Sequence, residues 1–214
     1  MRLEARKFEC GCLVAYVSRK DVPLGLEKGK ELALQVKGGR LIVPAGETKP
    51  ILAADYVVRL VGGLPPDHPL RALFGPNHVI VPAPGHALNP PGKTPLGLLA
   101  ERLAAAGLGM RYEDAIRRRV AVPKMSLQPP GERFGYVEHL ETMEARVITS
   151  PARVILVIDD VVTTGATLYA ACLAISDANP GAVVKAFGVA RTDQNAGEFM
   201  FCKVGLLGPS GLDV

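Results

Sequence analysis

Apolar residues along the chain fall in short blocks whose spacing changes near residue 78. Before that point a strand-like LVAYV at 13–17 precedes a helical pattern around 26–36, and a stronger one runs through ILAADYVVRLV at 51–61. Gly38-Gly39, Gly62-Gly63 and Pro65-Pro66 punctuate these elements. The short, mixed elements do not repeat as strand and helix, so residues 1–75 are read as an N-terminal hood or accessory segment.

From His78 onward strands and helices alternate, which predicts an α/β fold with a mainly parallel sheet flanked by helices. HVIV at 78–81 is a buried strand, and VPAPGHALNPPGK at 81–93 leads out of it as a Pro/Gly loop. Thr94 is placed to cap a helix reaching about Ala106, with Pro95 at its first position and Leu96, Leu99, Ala100 and Leu103 on one face. Gly107 ends it. VILVI at 154–158 has the unbroken apolar character of a central strand covered on both sides. Leu168, Ala171, Cys172 and Ile175 then repeat the helical stripe and put Cys172 in the core. Asn179-Pro180-Gly181 stops this helix, and AVVKAFGVA at 182–190 is the next strand. Residues 117–136 lack periodicity and carry three prolines and two glycines, so they are read as a long loop with strand at its edges. The expected division is a core over 76–192, with 193–214 as a C-terminal tail grouped with the hood.

Composition changes this picture only at its margins. Hydrophobic residues at 48% and charged residues at 21% exclude disorder for the 214-residue chain, and its length suits one domain with an appended subdomain. A net charge of +4 is too mild to announce nucleic-acid binding, but the excess is local. Between Arg111 and Arg133, six basic residues face three acids, and the run Arg117-Arg118-Arg119 could meet a polyanion. Cys10, Cys12, Cys172 and Cys202 lack the spacing of a zinc knuckle or redox pair, which predicts a reduced, cytoplasmic protein. No stretch approaches the roughly 18 apolar residues of a membrane span. His68, His78 and His139 sit in no ligand spacing, and His86 alone is singled out for mutation.

The chemistry concentrates in VILVIDDVVTTGAT, residues 154–167. A loop between a parallel strand and a helix presents unpaired amides and the positive end of the helix dipole, which together form a seat for an anion. Gly165 lets the backbone approach a phosphate, and the hydroxyls of Thr163, Thr164 and Thr167 add donors around it. With Ala166, these residues suit one phosphate group. The loop has no lysine and lacks the pattern of a nucleoside-triphosphate P-loop. Asp159 and Asp160, carboxylates at a buried strand, need compensating partners. Ribose hydroxyls can donate to them, and a divalent cation can add attraction.

This segment resembles the phosphoribosyl-pyrophosphate signature of the type I phosphoribosyltransferases. Within that family the chain looks most similar to the amidophosphoribosyltransferase-related, ComF-like group, though Cys10-Gly11-Cys12 is too little for that group's N-terminal zinc module. The resemblance implies a phosphoribosyltransferase-type fold with a small hood. It also implies a donor site in which Asp159 and Asp160 hold ribose, residues 163–167 hold the 5-phosphate, and magnesium arrives with the ligand. It places the pyrophosphate loop after the strand at 78–81, at Ala83, Pro84, Gly85 and His86. The catalytic loop falls on the basic, Pro-rich segment, where Lys124 and Arg133 are the candidate cations closing over pyrophosphate. Val161, Phe187 and Arg191, with Asp193, are the base-side candidates, because ligands lie beyond the carboxyl ends of strands in open α/β sheets. The hypoxanthine-guanine enzymes carry an acid at the position of Thr163, so this residue argues against 6-oxopurine salvage.

The expected activity is transfer of a phosphoribosyl group to an unidentified nitrogen acceptor with release of pyrophosphate, by a homo-oligomeric enzyme of nucleotide metabolism. The alternative is a non-catalytic sensor of phosphoribosyl pyrophosphate or a nucleotide, acting on a partner or in DNA uptake.

Overall fold

In a computed structural model, which describes residues 6–16, 27–88, 93–123, 134–149, 153–193 and 200–213, the alternating blocks form one seven-stranded sheet with helices on both faces. Its strands in chain order are β1 (Phe8–Tyr16), β4 (His78–Pro82), β5 (Arg111–Tyr112), β8 (Val154–Val162), β9 (Val183–Thr192), β10 (Met200–Gly208) and β11 (Gly211–Asp213). Across the sheet they run β11-β10-β1-β9-β8-β4-β5. The five from β1 to β5 are parallel, and β10 and β11 extend one edge antiparallel. Two small ribbons stand apart, β2 (Leu41–Ile42) with β3 (Ile51–Leu52), and β6 (Ile116–Arg118) with β7 (Met143–Ala145).

The alternation of side chains along β8 divides the core into two layers. Leu156 and Ile158 pack with α1 (Glu27–Gly38), α2 (Ala53–Gly62) and α3 (Pro95–Ala105), among Leu32, Val57, Leu99 and Leu103. Ile155 and Val157 pack on the other face with α5 (Ala166–Ala178), whose Leu168, Ala171, Cys172 and Ile175 form the anticipated stripe. Each such aliphatic side chain contributes about 1.5–3 kcal/mol by leaving water. Cys10, Cys12 and Cys172 are buried thiols in this second layer. At α3, Thr94 Oγ1 accepts from the Gly97 amide at 3.0 Å and Pro95 takes the first helical position, as the sequence predicts.

Two expectations need correction. The sheet is not confined to 76–192, because β1 lies between β9 and β10, and α1 and α2 cover one face of the core. β1 is therefore a strand of the central layer, and α1 and α2 pack on one of its faces. Gly11 of β1 allows this fit, since Leu70 and Leu73 of a short 3-10 helix, Pro69–Leu73, occupy the space a β-carbon there would need. Second, β8 does not stop at Ile158 but continues to Val162, paired to β9. No helix among the described residues is long and apolar enough to cross a membrane.

Candidate functional site

The loops leaving β4 and β8 start side by side, because these strands are parallel neighbours. The Ala83 amide donates to the Ile158 carbonyl at 2.8 Å, fixing the first loop against the point where β8 begins its polar extension. In that extension Asp159 pairs across to Gly188, Val161 to Ala190 and Val162 to Arg191. A β-carbon on Gly188 would fall 3.0 Å from Cys12 Sγ, so glycine there lets β1 and β8 approach β9 closely beside Asp159.

Asp159 and Asp160 are half-buried within the strand. Burial and the neighbouring Asp160 charge push the Asp159 carboxyl up to about 8, although its Oδ1 accepts from the Asp160 amide at 2.8 Å and Lys37 and Arg118 pull the other way. Burial also raises Asp160, opposed chiefly by Lys37 at the end of α1. Asp159 acts in turn on the Cys172 thiol, which burial already raises. Two acids that are costly to ionise stand together, a pairing that favours hydroxyl donors or a cation as company.

After β8, Thr163 and Thr164 are exposed, Gly165 is buried, and Ala166 and Thr167 are half-buried. Gly165 has a φ of 83°, left-handed, and stands immediately before α5 as an N-cap residue that offers no side-chain cap. Thr164 Oγ1 accepts only a long bond, 3.4 Å, from the Ala166 amide. The loop is backed by the C-terminal hairpin: a β-carbon on Gly165 would come 2.8 Å from Leu207 Cδ1, and one on Gly211 would come 2.8 Å from the Thr164 carbonyl. The positive end of the helix dipole thus lies at a turn supported by the hairpin.

Sequence reasoning missed a buried polar hub beside these loops. Arg118 and His139, both almost fully enclosed, join four segments. Arg118 donates through Nε to the Gly85 carbonyl at 3.0 Å, through Nη1 to the His139 carbonyl at 3.2 Å and to Thr142 Oγ1, and through Nη2 to His139 Nδ1 at 3.1 Å. His139, in the short helix α4 (Tyr136–Glu141), has its Nε2 3.2 Å from Thr167 Oγ1. Burial and the Arg118 charge hold its pKa down to about 4. Burial lowers Arg118 itself to about 10, which leaves it charged at neutral pH. The signal for Arg118 was the two-residue period of β6, where Ile116 and Arg118 point inward and Arg117 outward. No sequence signal marked His139.

The predicted residues meet different outcomes. Asp159, Asp160 and the 163–167 loop lie beside the start of the Ala83-Pro84-Gly85-His86 segment, in which Ala83 is buried, Pro84 half-buried, and Gly85 and His86 exposed. The His86 carbonyl accepts from the Val122 amide at 3.0 Å. Phe187 is a correction: it is fully buried in mid-strand, edge-on to Phe74 with ring centroids 5.0 Å apart, so it lines no pocket. Val161 packs against the first core layer, and Arg191 donates to the Leu212 carbonyl at 3.0 Å, toward the hairpin. Lys124 and Arg133 lie outside the described residues. The three consecutive arginines diverge: Arg117 pairs with Glu144 at 3.0 Å, Arg118 is enclosed, and Arg119 donates to the Glu141 carbonyl at 2.8 Å. Together with Leu88 and Glu144 they line an open cavity of about 300 Å³.

No model of a known protein family matches the chain, and no curated protein matches it.

Proposed function

We propose that the protein binds phosphoribosyl pyrophosphate at the carboxyl end of β8 and transfers its phosphoribosyl group to a nitrogen acceptor, as a type I phosphoribosyltransferase nearest the ComF-like group. One observation carries the reading: two carboxyls whose ionisation burial opposes stand near the end of β8, separated by four residues from a left-handed glycine that opens α5, with a second loop beginning one strand away. Carboxylates that are reluctant to ionise match the donor hydroxyls of a sugar. An open helix start matches a phosphate monoester held by neutral amides and threonine hydroxyls.

In this reading Asp159 and Asp160 accept from the ribose hydroxyls while residues 163–167 seat the 5-phosphate. The 83–86 loop receives the pyrophosphate, and Lys124 and Arg133 supply positive charge to it. The bond from the anomeric carbon to pyrophosphate breaks with its electron pair leaving on pyrophosphate, the new bond forms from the acceptor nitrogen, and that nitrogen loses a proton. Among the described residues no group of three or more His, Cys, Asp or Glu is gathered to hold a metal unaided. In this reading magnesium arrives held mainly by the ligand's own oxygens, with the acid pair beside it. Magnesium would neutralise charge on the departing pyrophosphate.

Calorimetry with phosphoribosyl pyrophosphate and magnesium tests the donor half, and pyrophosphate release in the presence of a panel of bases and amines tests turnover. The expected results are saturable binding and release that depends on one acceptor. The double variant Asp160→Asn, Thr164→Ala should lose binding while keeping the far-ultraviolet circular dichroism of the parent. Unchanged affinity in that variant would remove the site assignment, and binding without any acceptor-dependent release would turn the reading to a sensor.

A further inference from the structure

Arg118 can only donate hydrogen bonds, so its approach to His139 Nδ1 at 3.1 Å makes that nitrogen the acceptor. The ring proton of the neutral imidazole is then on Nε2, which faces Thr167 Oγ1 at 3.2 Å. A threonine oxygen that accepts from one side turns its own proton to another. With the opposite tautomer, Thr167 would give its proton to the ring and present only lone pairs to an incoming anion. The guanidinium forbids that tautomer, since an Nδ1–H would point at its N–H groups. Protonation of the ring is equally disfavoured, because burial and Arg118 both oppose it, with Glu138 the weaker opposite influence.

We propose that His139 is a positioning residue which commits the Thr167 hydroxyl to donate to a phosphate group seated at the start of α5, with Arg118 fixing the tautomer that makes this possible. The inference rests on the reading of 163–167 as a phosphate seat. The same guanidinium holds the Gly85 carbonyl at 3.0 Å, so one buried side chain sets the geometry of both loops. The donor delivered to the phosphate is neutral and prearranged, and nothing at this position has to reorient when the ligand arrives.

The test combines a spectrum of the intact protein with a mutant cycle. A long-range proton–nitrogen correlation spectrum of the histidine rings at pH 7 should show His139 protonated on Nε2. Ribose 5-phosphate affinity, measured by calorimetry, should fall about tenfold in His139→Ala and in Thr167→Val. The double variant should bind no more weakly than either single one, because both remove the same oriented donor. His139→Gln, whose amide can again donate toward Thr167, should recover part of the loss. An Nδ1-protonated ring in the wild-type spectrum overturns the proposal, as does an additive loss in the double variant. If Thr167→Val weakens binding and His139→Ala does not, the seat stands and the positioning role falls. If the wild-type protein does not bind ribose 5-phosphate, the seat itself falls and takes this role with it.

Discussion

Asp159 keeps its backbone in register with Gly188 while its side chain sits where its charge is disfavoured. A carboxyl whose folded pKa is raised withdraws stability as the pH climbs from the ordinary carboxylate range toward about 8. Asp159→Asn keeps an oxygen for the Asp160 amide and removes the charge. The ligand-free variant is therefore expected to be more stable than the parent by about 1–3 kcal/mol at pH 8, with the difference fading toward pH 4. Thermal melts of both proteins across that range read the effect, and a pH-independent difference would refute it. Arg118 gives the opposite expectation. In Arg118→Lys one ammonium cannot reach the Gly85 and His139 carbonyls, His139 Nδ1 and Thr142 Oγ1 together, so about 1–3 kcal/mol should be lost. A urea midpoint equal to that of the parent would contradict this. At this scale the sequence was legible where a residue's role is local. Gly165 adopts the conformation its neighbours demand, whereas Phe187 at a strand near the site proved to be core, because its burial depends on Phe74, far away in the chain.

Among the elements, α3 could be read almost to the residue, since a Thr-Pro start, an apolar stripe and a terminal glycine are all encoded within the helix itself. β8 was underestimated by four residues because Asp159 and Asp160 look like a strand end in a local pattern, while their pairing is decided by β9. The turn between β8 and α5 is built from both sides. Gly165→Ala must place a side chain at a φ of 83°, at about 1–2 kcal/mol, and against Leu207 as well. Gly211→Ala presses on the Thr164 carbonyl from the hairpin. Both variants should melt below the parent, and both should bind phosphoribosyl pyrophosphate more weakly. Gly211→Ala is the sharper case, because it lies outside the signature and reaches the loop from its backing. Unaltered affinity in a folded Gly211→Ala protein would mean that the hairpin does not shape the seat.

For the whole molecule, the long-range order of the sheet was the least legible property. A break in texture near residue 78 is real, yet it does not mark a structural boundary, because strand order is a matter of pairing between distant segments and leaves no trace in local periodicity. Removing residues 1–75 should therefore expose one side of β9 and strip α1 and α2 from the first core layer. The isolated 76–214 fragment is expected to lack a cooperative thermal transition, and calorimetry of the fragment checks this directly.

The place of β1 also has a meaning in time. It is synthesised well before both of its partners, β9 and β10, which come from residues 183–208. Until residues 183–208 emerge, an apolar strand therefore has both edges open, a condition that invites pairing with other chains. Closing so large a loop late makes folding slow. Whether this strand is captured by β9 and β10 or by another chain is thus decided only once residues 183–208 have emerged.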